Sequence, residues 1–537
     1  MIRDSLILKG FHPDPSVIRV GSTFYVASST FEWFPGVVIH ESEDLINWKF
    51  TTYVLDSEEA LPLRGVLNGG GVWAPCLSYD GEYYYLVFSI TRTFDEFTQD
   101  TDNYITRAAD IHGPWSEPVY LNSGGFDASL FHDQNGQKYL LNMIWYEYPG
   151  ENHFHGIEMQ ELDGKTLKLK GDRKIIYKGT ERGFTEGPHI YRHGDYYYLL
   201  TAEGGTSEAH CVTIARSTNL WGPYETYGPG PILTAHNHPE LNIHYAGHGD
   251  IVDDEFGNWY LFHLGARRKL FGGFSVFGRE TFMQNIIWDD EGWPRLLEGN
   301  LPKDTVIVPD ELAKRGEGRT DVANVFYKRY DFAKGRLSSD FMSRREPLKD
   351  RLSLDKRPGY LRLYGGKSLS AEFDESLLAV RIMECSFRAE TVLDYNPCDV
   401  RQRAGLIFLY HSANYYYLSI CYDDDKSRRY LQLFKRDCKK TTAMLKDRIY
   451  LPDEGEVKLW GDFTPSGITF GYGIGNEADT ELDIPRGECP VTILSDEYAN
   501  ISIEQGFTGS FTGICAQDTS GMLKAADFAY FEIKEHK

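Results

Sequence analysis

Glu186-Gly-Pro-His-Ile-Tyr-Arg-His-Gly-Asp-Tyr-Tyr-Tyr-Leu199 reads as a short apolar strand, a His-Gly-Asp turn and a second strand headed by three tyrosines. Gly supplies the left-handed backbone of a tight turn and aromatics suit a pleated, half-buried surface, so the stretch is a β-hairpin. The same unit recurs as Asp14-Pro-Ser-Val-Ile-Arg-Val-Gly-Ser-Thr-Phe-Tyr-Val26 and Ala74-Pro-Cys-Leu-Ser-Tyr-Asp-Gly-Glu-Tyr-Tyr-Tyr-Leu86. It appears again as Asp127-Ala-Ser-Leu-Phe-His-Asp-Gln-Asn-Gly-Gln-Lys-Tyr-Leu140 and His248-Gly-Asp-Ile-Val-Asp-Asp-Glu-Phe-Gly-Asn-Trp-Tyr-Leu261. The residues that open the five units, Asp14, Trp73, Asp127, Glu186 and His248, are spaced 59, 54, 59 and 62 residues apart. Further strand-like segments and a Trp-bearing stretch follow most hairpins, so each unit holds four strands, and the period is close to that of one β-propeller blade. A five-bladed propeller over residues 1–305 is expected; a tandem array of β-sandwiches fits less well, because nothing resembling a linker separates the units.

The pattern breaks at Leu301-Pro-Lys-Asp304 and in the charged run Lys314-Arg-Gly-Glu-Gly-Arg319, so 306–325 is expected to be a linker. Beyond it, Leu361–Tyr364, Ala404–Tyr410, Asn414–Ile420, Tyr430–Phe434, Val457–Trp460 and Phe528–Ile533 alternate apolar with polar residues. The expected second domain, 326–537, is a β-sandwich, which makes the whole chain all-β.

The chain's 537 residues include 14% aromatics, and 56 Lys and Arg stand against 79 Asp and Glu for a net charge of −23. Such a surface repels polyanions, which argues against nucleic acid or an anionic membrane as partner. No apolar stretch is long enough to cross a bilayer, and the N-terminal residues lack the apolar core of a signal peptide, so a cytoplasmic protein is expected. The eight cysteines form no C-x-x-C pair, and free thiols are the expectation.

In a propeller the first strand of each blade lines the central channel, so the five opening residues should converge at one mouth. Each alone has an ordinary explanation: Asp14-Pro15 is a common turn pair, Asp127 and Glu186 stand at strand starts, and His248 suits a satisfied core histidine. Together they bring three carboxylates, an indole and an imidazole into one funnel. Like charges resist such proximity because each raises the other's pKa, which makes the cluster a functional signature. Three acids in a pocket lined with aromatics suit glycoside cleavage, where one protonates the leaving oxygen, one activates water or attacks, and one tunes and orients. Phe31, Trp33 and Phe34, with Trp73 and Trp145, are the candidate pocket aromatics, each weighed against plain core packing. His248 and the carboxylates also have the composition to hold a cation such as calcium through waters. No ligand spacing demands one, and no cofactor is expected.

Phe11-His-Pro-Asp-Pro-Ser16, Trp73-Ala-Pro75, Phe126-Asp-Ala-Ser129, Phe184-Thr-Glu-Gly-Pro188, Gly247-His-Gly249 and Gly278-Arg-Glu-Thr-Phe282 occur in this order, with Gly506-Phe-Thr-Gly-Ser-Phe511 near the C-terminus. Together they resemble glycoside hydrolase family 43, in particular its two-domain β-xylosidases. The resemblance implies exo-hydrolysis of β-1,4-xylo-oligosaccharides from the non-reducing end with inversion, Asp14 as general base, Glu186 as general acid and Asp127 as the residue that tunes and orients. It also implies that His248 and Arg279 lie beside the bound sugar and that Phe507, or failing that Phe511, closes the pocket. A homodimer or homotetramer is implied as well. Inversion requires the acid and base carboxyls to stand about 6.5–9.5 Å apart rather than the roughly 5–5.5 Å of a retaining pair. The competing readings are an α-L-arabinofuranosidase or an enzyme with both activities and, from another class, a non-catalytic carbohydrate-binding propeller. Sucrose- and fructan-cleaving propellers expect Asn-Asp-Pro-Asn where this chain has His12-Pro-Asp-Pro-Ser16.

Overall fold

The structure, a computed structural model, describes the chain except residues 96, 150–151, 317, 319–321, 476, 501–505 and 537, and the side chain of residue 334. It divides into two compact units, one of 1–31, 35–267 and 279–324, the other of 32–34, 268–278 and 325–537.

The first unit contains five antiparallel sheets built from the five repeats. Their innermost strands are Ser16–Val20, Cys76–Tyr79, Ser129–His132, Glu186–His193 and His244–Asp253, and each is hydrogen-bonded to the aromatic strand that follows it. Each inner strand also contacts those of the two neighbouring blades, which closes a ring around the channel. Polar bonds stitch that ring. Asp250 of the fifth blade accepts from Ser16 Oγ at 3.0 Å and the Val17 amide at 2.8 Å in the first blade, and from the Tyr191 hydroxyl in the fourth. Ser16 Oγ in turn accepts the Leu77 amide of the second blade at 3.0 Å, and the Leu130 amide of the third donates to Cys76 Sγ at 3.4 Å.

Apolar side chains fill the spaces between blades. Phe24 and Val26 of the first blade meet Tyr260, Phe262 and Met283 of the fifth, and Leu200, Val212 and Ile214 of the fourth meet Ile251, Leu261 and Phe282. The fifth sheet is completed from the other end of the chain, because its outermost strand is Leu6–Leu8, paired with Glu280–Trp288. The fifth sheet thus joins strands from both ends of the first unit's sequence.

The stretch 306–325, expected as a linker, carries structure of its own as far as it is described; residues 317 and 319–321 of it lie outside the described residues. Thr305–Ile307 pairs with Ile2–Asp4, and a helical turn spans Asp310–Ala313. Val306, Val308 and Leu312 are buried in the cluster between the fifth and first blades, which is why this segment folds onto the first unit. In the charged run, Arg315 forms an ion pair with Glu255.

The second unit packs an eight-stranded sheet containing Phe387–Asp394, Glu456–Thr464 and Ala525–Glu535 against a seven-stranded sheet containing Gln402–His411, Asn414–Asp423 and Phe511–Asp518. Their facing sides share one core, in which Phe387 stacks on Phe463 at 4.8 Å and Phe408 lies 6.2 Å from both. This is the expected β-sandwich.

Candidate active site

Asp14, Asp127, Glu186, His248 and Arg279 are each less than a tenth exposed; all stand at or near the starts of strands in the first unit except His248, which lies midway along His244–Asp253. Three of them hold left-handed backbone, with φ of 52° at Asp14, 54° at Asp127 and 44° at His248, and at the fourth blade Gly187 takes that role at 56°. Asp and His enter this region more readily than most residues, yet each instance costs about 1–3 kcal/mol and persists only where the surroundings over-determine it. The repeat therefore delivers the same backbone kink, with a chemically active side chain at or beside it, to the start of three inner strands and to the middle of the fifth blade's, where the pairing register shifts around His248.

Bonds within the cluster fix the side chains. Arg279 Nη1 donates to Asp14 Oδ1 at 2.9 Å and Ser29 Oγ donates to Asp14 Oδ2 at 2.5 Å, so both oxygens accept in fixed directions. The Gly187 amide donates to Asp127 Oδ2 at 3.1 Å, and His248 Nδ1 lies 3.8 Å from the same oxygen. The motif glycines are explained by the imidazoles beside them. A Cβ on Gly187 would lie 3.0 Å from the His248 ring, and one on Gly247 would lie 2.0 Å from His210.

Burial raises the Glu186 carboxyl to about 8, reinforced by the negative charge of Asp14 and opposed by Arg279. Asp127 is also raised well above the carboxylate range by burial and by the charges of Glu186 and Asp14. Burial and the mutual charges thus favour the protonated form of both carboxyls near neutrality, while the Gly187 amide opposes this at Asp127. Burial lowers His248 to about 4, which leaves a neutral imidazole able to donate one hydrogen bond and accept another. The arrangement pairs an acid protonated up to about pH 8 with a fixed carboxylate, as hydrolysis by proton transfer requires.

Phe31 lies under the Arg279 guanidinium at 5.2 Å and packs 5.7 Å from Phe11 and 6.2 Å from Trp73. The series continues through Phe126, edge-on to Trp73 at 5.0 Å, and Phe154 to the half-buried Trp145, whose indole donates to the Phe97 carbonyl at 3.2 Å. Trp33 and Phe34 depart from expectation. They belong to the second unit, where Trp33–Phe34 pairs with Ser343–Arg344 and the fully buried Trp33 stacks on Phe511 at 3.7 Å, so packing holds them. Phe511 is buried in that stack, and Phe507 lies in the same unit, partly buried.

Two neighbours of the cluster were not singled out from the sequence. Ser29 was within reach, because the hairpin register that pairs Ser16 with Ala27 places it opposite Asp14. His210 gave no signal, since only the packing of the fourth blade on the fifth brings its ring to Gly247.

The comparisons agree with this chemistry. A family model described as glycosyl hydrolases family 43 matches residues 4–294, and one described as beta xylosidase C-terminal concanavalin A-like domain matches 329–534. The xylosidase/arabinosidase 43B of Humicola insolens is 41% identical over 529 residues, covering 98% of this chain and 96% of its own. A beta-xylosidase of Bacillus subtilis (strain 168) is 40% identical over 544 residues, covering 98% of this chain and 99% of its own. The crystal structure of a xylan beta-1,4-xylosidase from Bacillus halodurans C-125 superposes with a TM-score of 0.93 at 40% identity, over 99% of this chain and all of that one. The motifs, the five-bladed sheet order and these full-length matches together place the chain in glycoside hydrolase family 43.

Proposed function

We propose that this protein is an exo-acting β-xylosidase that releases xylose from the non-reducing end of β-1,4-xylo-oligosaccharides with inversion of configuration. The observation that carries the reading is the buried carboxylate cluster, in which Asp14 is fixed by Arg279 and Ser29 while Glu186 is held protonated near neutrality. Asp14 accepts a proton from the attacking water as the new C–O bond forms at the anomeric carbon. Glu186 delivers its proton to the departing glycosidic oxygen. Asp127, fixed by the Gly187 amide, stands beside Glu186 and tunes and orients the acid. Neutral His248 and the Arg279 fork bond sugar hydroxyls, and Phe31, Trp73 and Trp145 offer faces to the CH surface of the ring.

A raised general acid has a pH signature. The rate constant kcat/KM on xylobiose falls as pH rises through about 8, because the Glu186 proton is lost there. Activity lost already by pH 6 contradicts the assignment.

Arabinofuranosidase activity is the second reading, favoured by the double name of the Humicola relative. Rates on p-nitrophenyl β-xyloside and p-nitrophenyl α-L-arabinofuranoside decide between them: the xyloside is expected to have the higher kcat/KM, and the reverse order overturns the proposal. The proposed steps need only Asp14, Glu186 and a water molecule, so we expect full activity after dialysis against EDTA. Loss that calcium restores would assign a cation to the channel.

A further inference from the structure

The segment just ahead of Glu186 follows a conformationally demanding path. Gly179, Gly183, Phe184 and Gly187 all have left-handed backbone, with φ of 80°, 71°, 54° and 56°. A Cβ on Gly179 would lie 1.8 Å from Thr185 Oγ1, so the chain passes close to itself. A path of this kind holds one geometry only where other groups over-determine it.

One buried carboxylate does so. Glu203, fully buried, ends the strand Tyr196–Glu203, in which its neighbour Ala202 pairs with Glu186. Glu203 Oε1 accepts the Thr180 amide at 2.9 Å and Thr185 Oγ1 at 3.3 Å, and Oε2 accepts the Thr180 hydroxyl. The Gly204 amide next along donates to the Gly183 carbonyl at 2.9 Å. The Phe184 ring, half exposed, rests edge-on against Phe154 at 5.0 Å. Both ends of the 180–185 segment thus hang from one side chain, and Thr185 is bonded directly to Glu186 along the chain. Glu203 takes no part in the proton transfers described above.

We infer that Glu203, through Thr180 and Thr185, is a positioning residue that holds the general acid Glu186 in line with the leaving oxygen. The inference rests on the reading of Glu186 as the acid. A misplacement of about 1 Å costs up to about 100-fold in rate, and a displaced acid matters only where the leaving group needs a proton. The readout is therefore selectivity between leaving groups rather than overall activity.

The test compares kcat/KM on xylobiose, whose leaving group is a sugar alkoxide, with that on 2,4-dinitrophenyl β-xyloside, whose leaving group departs without protonation. Glu203→Ala is expected to lose about 100-fold on xylobiose and less than about 3-fold on the dinitrophenyl substrate. Thr185→Val, which removes a single hydroxyl and leaves the core volume nearly unchanged, is expected to lose about 10-fold on xylobiose alone, and Thr185→Ser to recover most of that loss. If Glu203→Ala does not fold, the Thr185 pair decides. Equal losses on both substrates, or none on either, overturn the inference. Glu186→Ala measured alongside keeps the two claims apart: if that variant is itself unselective, the acid assignment fails, whereas a selective Glu186→Ala beside unselective Glu203 and Thr185 variants removes only the positioning role.

Discussion

Asp14→Asn is expected to lower kcat on xylobiose about 1,000-fold or more while the protein keeps its fold, because the variant loses the base that takes the proton from water. The choice of Asn matters physically. Asp14 sits at φ 52° and accepts from Arg279, so Ala there would add backbone strain and remove the carboxylate that faces the buried Arg279 charge. Asn tolerates left-handed backbone and still offers an oxygen to Arg279. Thermal unfolding near the parent's, with kcat collapsed on xylobiose and on the dinitrophenyl xyloside alike, identifies the base, since water must be activated whichever group leaves. Near-normal turnover of xylobiose by Asp14→Asn removes it from the mechanism.

Glu186→Ala should show the complementary pattern. Turnover of xylobiose falls by about 100- to 10,000-fold, the range associated with one acid–base group, while the dinitrophenyl substrate keeps most of its rate. The substitution also removes the group whose proton is lost near pH 8, so the alkaline fall there disappears. Equal loss on both substrates would show that Glu186 does something other than protonate the leaving oxygen.

Much of this was legible in the chain because the hairpins announce themselves locally. Runs such as Tyr83-Tyr-Tyr85 and Tyr196-Tyr-Tyr198 beside Gly-bearing turns fix strand and turn without reference to anything distant, and the repeat then says which residues share a ring position. The carboxylates followed from that ring. What the sequence hid depends on contacts far apart along it. Leu6-Ile-Leu8 is three residues long and indistinguishable from any apolar fragment until its partner Phe282 is known. Val306 and Leu312 look like linker residues beside Pro302 and the charged run, yet their burial against the fifth and first blades makes the segment part of the first unit. Trp33 was read with Phe31 because the two are neighbours in sequence, but its ring belongs to the Phe511 stack of the second unit. Glu203 carries no signal in the sequence. Its importance lies in the two threonines that reach it from the far side of Glu186, a relation only the folded blade creates.

The central claim, that a protonated Glu186 and a water-activating Asp14 act together on a xylosidic bond, is tested most directly by following xylobiose hydrolysis with proton NMR from the first seconds, before mutarotation mixes the anomers. The account predicts that the xylose released from the non-reducing end appears first as the α-anomer. Initial β-xylose would contradict it, since retention requires one of the carboxylates to attack as a nucleophile.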